Sequence, residues 1–338
     1  MLILSRTDLY QKNGEERLQS IDLIKLIAMI GVVALHTFSK DFIYAMTTIS
    51  VPLFFMVTGY LQLGKKKISY YYCSRKIINI IKFVTIISFI DWLICIVWLR
   101  EYPIKVTNFI SYVFGGYFQI GGCIHFWFFG ALIIVYLFMP LINKLYIDKF
   151  KHFAWLTGCL IVIMSIVFIQ DCLHLKLGNF SEQNLIQTFR IYNWLGYFCI
   201  GGFLKIYQIK NMKWLWLIIF LAFINYYFQQ WLIPFIANDN CEYFYDSLPV
   251  LLLCIAIFYY CISLKISNSQ VIENVSTLFL PVYALHYPLI PFYKDLLEMS
   301  EIGLGPYQLY LFVLTFIATI VISILLMKIP LMKKIFNI

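Results

Sequence analysis

Residues 21–38, IDLIKLIAMIGVVALHTF, form an apolar run of near-membrane length that nevertheless carries Asp22, Lys25 and His36. At about 100° and 1.5 Å per residue, the steps from Lys25 to His36 make three turns plus roughly 20°, which puts both side chains on one helix face about 16 Å apart. That is most of a leaflet. Asp22 precedes Lys25 by one helical turn, so a carboxylate, an ammonium and an imidazole line one side of a helix otherwise suited to lipid. Charged groups at membrane depth are costly and normally face the bundle interior or a wet cavity. Two plainer readings stand beside this one. Asp22 and Lys25 lie close enough to the start of the run to snorkel to the headgroups, and His36 can serve as a neutral hydrogen-bond partner between helices.

A chain of 338 residues that is 62% hydrophobic and 13% charged lies outside the range of soluble domains. It reads as all-α, a polytopic transmembrane bundle of about ten helices: 21–38, 42–63, 77–99, 125–147, 153–170, 191–207, 214–236, 247–264, 276–297 and 307–327. Lys and Arg split unevenly between alternate connections. One side holds Arg6, Lys12, Arg17, Lys65–Lys67, Arg75, Lys76, Lys144, Lys149, Lys151, Lys205, Lys210, Lys213, Lys265, Lys328, Lys333 and Lys334, the other only Lys40, Arg100, Lys105, Lys176 and Arg190. Because cytoplasmic loops carry the basic excess, both termini are expected in the cytoplasm. The chain is read as a single integral domain over 1–338, with a cytoplasmic segment 1–20, the bundle 21–327 and a cytoplasmic tail 328–338. A net charge of +9 needs no nucleic-acid partner, since an inner surface facing anionic lipid accounts for it. No removable signal peptide is read at the start, and no internal repeat is visible. The nine Cys show no CxxC pairing, and most fall within spans as small hydrophobes. Cys123, Cys172 and Cys241 fall in expected outer loops, which leaves one disulfide open.

Three histidines sit at or within spans: His36, His125 in HFWFFGALIIVYLFMPLI (125–142) and His286 in VYALHYPLI (282–290). An imidazole in apolar surroundings stays neutral and ready to accept a proton. Metal-ligand spacing is not seen, and His152 and His174 read as surface residues. On the cytoplasmic side, KKKISYYYCSRKIINIIKF (65–83) combines lysines suited to anchoring at lipid with Arg75 and Lys82, two turns apart on one face. With Lys25 they offer a cationic entrance for a phosphorylated donor. No Walker or Rossmann glycine loop supports ATP or NAD. The stretch GGYFQIGG (115–122) suggests a re-entrant or interfacial segment leading into His125. The polar connection 237–246 fits a sugar-facing rim or an ordinary solvated loop.

IDLIKLIAMIGVVALH (21–36), VPLFFMVTGYL (51–61), SRKIINIIKF (74–83), HFWFFGALIIVYLFMPLI, YFCIGGFL (197–204) and VYALHYPLI, taken in order, resemble the acyltransferase family 3 membrane proteins, which include O-acetyltransferases of bacterial surface polysaccharides. The likeness runs over roughly residues 17–330. It implies that His36 is the family's essential histidine, that Lys25 stands where an Arg is usual, and that Arg75 and Lys82 are its basic motif in helix three. The Lys keeps the charge and loses the bidentate fork. The resemblance implies His36 and His125 as catalytic residues, Lys25, Arg75 and Lys82 as the donor-binding group, and Asp22 and His286 in support, Asp22 by holding Lys25. The resemblance further implies that no cofactor is held tightly, that acetyl-CoA or another acyl-CoA is a co-substrate, and that the acceptor is a glycan or glycolipid at the bacterial cytoplasmic membrane. The rise of about 16 Å from Lys25 to His36 suits the donor's pantetheine arm. His36 takes the proton of a sugar hydroxyl or mediates passage of the acyl group, and both readings stand. No GxSxG serine nucleophile is present. The competing reading is a polysaccharide exporter or other polytopic transporter, which calls for inverted repeats and matched Pro or Gly breaks that Pro52, Pro140, Pro234, Pro281 and Pro288 do not supply. A sensor or membrane anchor without chemistry is a third.

Overall fold

The structure, a computed structural model, describes residues 2–3, 19–38, 42–94, 96, 106–174, 185–208, 214–232, 244–264, 266, 269–298 and 304–336. The expected rim at 237–243 and Cys241 lie outside these residues. The helices are α1 Gln19–Thr37, α2 Phe42–Thr47, α3 Ser50–Gln62, α4 Tyr70–Ile94, α5 Val106–Gly115, α6 Trp127–Asp148 and α7 Phe150–His174. They continue with α8 Ile191–Ile206, α9 Trp214–Leu232, α10 Leu248–Ser263, α11 Gln270–Ser276, α12 Phe279–Glu298, α13 Leu304–Met327 and α14 Pro330–Phe336. The one pairing of extended chain among the described residues joins Leu2–Ile3 (β1) to Tyr207–Gln208 (β2), antiparallel.

Each of the ten stretches read as spans holds a helix. Among the described residues, five helices are long and apolar enough to cross a membrane: Gln19–Thr37, Phe42–Gln62, Ile124–Asp148, Phe150–Leu173 and Tyr307–Met327. A sixth is added if α11 and α12, broken at 277–278, count as one span. The break has a local cause, because Pro281 has no N–H to give the Thr277 carbonyl and its ring crowds that carbonyl. Helix α4 begins at Tyr70, so Arg75 and Lys76 are helical rather than in a connection. Its start is fixed by Ser69, whose hydroxyl accepts the Tyr72 N–H at 3.2 Å. Large apolar side chains project outward along α7 (Trp155, Val162, Ile166, Ile169), α9 (Trp216, Phe220, Phe223, Tyr227) and α13 (Tyr310, Leu314, Ile317, Val321, Ile324). In water such faces would be a liability; in a bilayer they are the expected surface of an integral membrane protein.

The chain gathers into two compact units, Met1–Ile68 with Leu141–Asn184 and Tyr192–Thr277, and Ser69–Pro140 with Leu185–Ile191 and Leu278–Ile338. In the first, helix backbones approach closely at glycines. A methyl on Gly59 of α3 would lie 1.8 Å from the Phe198 carbonyl oxygen of α8, and one on Gly201 of α8 would lie 1.9 Å from the Met56 carbonyl oxygen of α3. Gly31 of α1 likewise leaves room only for the Ser50 hydroxyl, 2.0 Å from where its Cβ would be. Small residues that let helix backbones meet are the usual device where lipid gives apolar side chains no reason to associate. Phe55 stacks on Trp194 at 4.8 Å beside this crossing. The turn after α3 is clamped by Asn143, whose Oδ1 accepts from Gly64 N–H at 2.8 Å and whose Nδ2 donates to Lys65 O at 2.9 Å. Gly64 sits at φ 90°, in the left-handed region that glycine enters without strain.

In the second unit, α4 buries Cys73, Ile80, Phe83, Val84, Ile87, Ser88 and Asp91 on one face. Phe83 collects Phe129 at 5.2 Å and Phe336 of α14 at 5.6 Å. Helices α12 and α13 pack as a pair, and α13 buries Leu311, Thr315, Thr319 and Ser323 at intervals of four along one stripe.

Candidate active site

The first helix holds its charges as a pair. Asp22 is buried, with 2% of its side chain exposed, and Lys25 Nζ donates to its Oδ1 at 3.2 Å while keeping 28% of its own side chain accessible. Lys25 therefore turns its ammonium back to a buried carboxylate one turn earlier. His36, half-buried, closes the same helix three turns later. The two ends of the helix thus carry a cation and an imidazole separated by a rise of about 16 Å.

The second unit brings together two histidines that lie far apart in sequence. His125 occupies a 3-10 turn, Ile124–Phe126, that feeds α6, and His286 lies within α12; both are buried. Their rings are 5.2 Å apart, edge to face at 74°. Tyr287 stacks on His125 at 5.0 Å and 24°. Tyr283, one turn before Tyr287 on the same helix, donates its hydroxyl to the His125 carbonyl at 2.5 Å. His286 Nδ1 lies 2.8 Å from Tyr283 O and 3.2 Å from Val282 O. Both neighbours are carbonyl oxygens, which only accept, so Nδ1 carries a proton. Pro288 and Pro291 inside α12 remove the ladder bonds that Ala284 and Tyr287 carbonyls would otherwise receive.

The turn carrying His125 is also held from the strap 185–191. Thr188 donates its hydroxyl to Tyr117 O and to Trp127 O, the latter at 3.3 Å, and Gln187 N–H donates to the Gln119 side chain at 2.7 Å. Arg190, expected in an outer connection, is buried and gives Nε–H to Leu185 O at 3.0 Å. GGYFQIGG ends α5 at Gly115 and runs through a 3-10 turn at Gly116–Phe118, after which Gln119 (φ 59°) and Gly121 (φ 86°) turn the chain back toward His125. Gly122 lies directly on the Tyr112 phenol, 2.0 Å from where a methyl would sit.

Arg75 and Lys82 are exposed on α4, with the Arg75 guanidinium over the Tyr71 ring at 4.4 Å. They and His125 belong to the second unit, Lys25 and His36 to the first. Among the described residues no group of three or more His, Cys, Asp or Glu is arranged to hold a metal. Among the described residues, Cys123 and Cys172 form no disulfide.

The acyltransferase domain family matches residues 18–328, nearly the whole chain. The chain belongs to acyltransferase family 3. No curated protein and no solved structure matches it. Within this acyltransferase, the residues that sequence spacing did not single out are Asp91, Asn143, Tyr283 and Tyr287. The aromatic pair had a legible signal, since Tyr283 and Tyr287 flank His286 at helical spacing. Asp91, a single acid in an apolar run, and Asn143 had none.

Proposed function

We propose that this acyltransferase is a membrane-bound O-acyltransferase, most simply an O-acetyltransferase, that carries an acyl group from cytoplasmic acyl-CoA to a hydroxyl of a cell-surface polysaccharide or its lipid-linked precursor. Its place is the bacterial cytoplasmic membrane, with both termini on the cytoplasmic side. The observation that best supports the reading is the buried Asp22 holding Lys25 on the helix that ends in His36. An anion-binding group and a proton acceptor then occupy the two ends of one rigid element, as a long donor with phosphates at one end and a thioester at the other requires.

In the reaction, His36 accepts the proton of the acceptor hydroxyl as its oxygen attacks the thioester carbonyl carbon. The C–S bond breaks, and the proton is returned to the departing CoA thiolate. Lys25, Arg75 and Lys82 serve the donor phosphates; His125, with His286 behind it, orients the acceptor or polarises the carbonyl. Ammonium and guanidinium groups fit this use because phosphate oxygens accept charge-assisted hydrogen bonds.

The test is transfer of label from acetyl-CoA to glycan in membranes containing the protein or its His36→Ala variant. Label in the glycan is expected with the native chain and lost with the variant. Equal incorporation by both would remove His36 from the chemistry, and no incorporation by either would overturn the donor.

A further inference from the structure

Asp91 lies on the buried face of α4 with 8% of its surface accessible, in a stretch lined by Phe89, Trp92 and Phe109, whose rings pack at 5.0 to 6.2 Å. A carboxylate there is costly unless donors meet it. Two do, and both come from the segment leading to His125. The Tyr112 hydroxyl of α5 donates to Asp91 Oδ2, and the Cys123 thiol approaches the same oxygen at 3.4 Å. Cys123 is fully buried, and its carbonyl accepts the Phe126 N–H at 2.9 Å, the bond that closes the 3-10 turn around His125. Tyr112 in turn presses on Gly122. One carboxylate oxygen therefore fixes both ends of the folded turn.

We infer that Asp91 is a positioning residue: its carboxylate ties Tyr112 to Cys123 and thereby sets the turn from which His125 meets Tyr287 and His286. This rests on the acyl-transfer reading for its bearing on rate, but the tether itself can be read without any reaction. Removing the acceptor releases two donors from one point. The turn then loses its register against α4, while the contacts of Tyr283 and Thr188 still hold the chain nearby.

Asp91→Ala and Asp91→Asn separate the roles, since the amide oxygen of Asn still accepts both hydrogen bonds. The full-length protein in membranes is treated with N-ethylmaleimide, and labelling at Cys123 is followed by peptide mass spectrometry, with the buried thiols Cys199 and Cys254 as fold controls. Asp91→Ala is expected to speed labelling of Cys123 by about tenfold, with the controls unchanged and Asp91→Asn close to the native rate. Protection of Cys123 equal to native in Asp91→Ala overturns the tether. A rise at all three thiols also overturns it, because the acid would then be a general fold determinant. In the transfer assay, Asp91→Ala is expected to lower kcat by about tenfold to a hundredfold, with KM for acetyl-CoA within about twofold and Asp91→Asn restoring most of the rate. Native kcat with an exposed Cys123 removes the positioning role. Absence of transfer by the native chain would instead count against the donor assignment, leaving the thiol result to decide the tether.

Discussion

Replacing Lys25 by Met tests whether the first helix depends on its internal ion pair. The Nζ to Oδ1 separation is 3.2 Å, and Asp22 is nearly enclosed. At an effective dielectric of about 20 the attraction is roughly 5 kcal/mol. Lys25 keeps contact with solvent, so part of this is screened, and loss of the pair is expected to cost about 3 kcal/mol, the lower end of the range for breaking a buried pair. Most of that cost is the carboxylate left behind, not the attraction lost. Adding Asp22→Asn to Lys25→Met should therefore recover about 2 kcal/mol, and Lys25→Arg alone should lose less than about 1 kcal/mol. The assay is reversible unfolding in mixed micelles, run as a double-mutant cycle. Additive single effects, or a Lys25→Met protein as stable as the native one, would refute the argument. The same variants sort the functional role, because Lys25→Arg should keep donor KM while Lys25→Met raises it even in the Asn background.

Other expectations follow from single contacts. Gly59→Ala places a methyl 1.8 Å from the Phe198 carbonyl oxygen, so α3 and α8 must part; a loss of about 1–3 kcal/mol should appear in the same unfolding assay. Tyr283→Phe removes the hydroxyl that meets the His125 carbonyl and should cost about 1 kcal/mol, with a lower transfer rate and little change in donor KM. Asn143→Ala deletes both bonds to the Gly64–Lys65 turn and should cost about 1–3 kcal/mol, visible as earlier proteolysis between α3 and α4.

Helix placement was largely legible, because lipid demands long apolar stretches with charge confined to their ends. The run at 21–38 and the helix at 19–37 agree to within two residues. Where composition was mixed, length was misjudged: α4 extends through Arg75 and Lys76 because a serine cap and helix-compatible residues continue it past the apolar limit. Spacing placed Asp22 and Lys25 on one side of the first helix, and the structure pairs them at 3.2 Å. The meeting of His125 with His286 was not legible, since the two are joined only through the packing of α12 beside the start of α6. Asp91 was hidden for the same reason, its partners lying 21 and 32 positions away.

The reciprocal seats of Gly59 on Phe198 and Gly201 on Met56, with Gly31 over Ser50, have a mechanical consequence. Helices whose main chains touch cannot slide along one another without first separating, and separation breaks several contacts at once. The helix bearing Lys25 and His36 is therefore anchored to a stiff block.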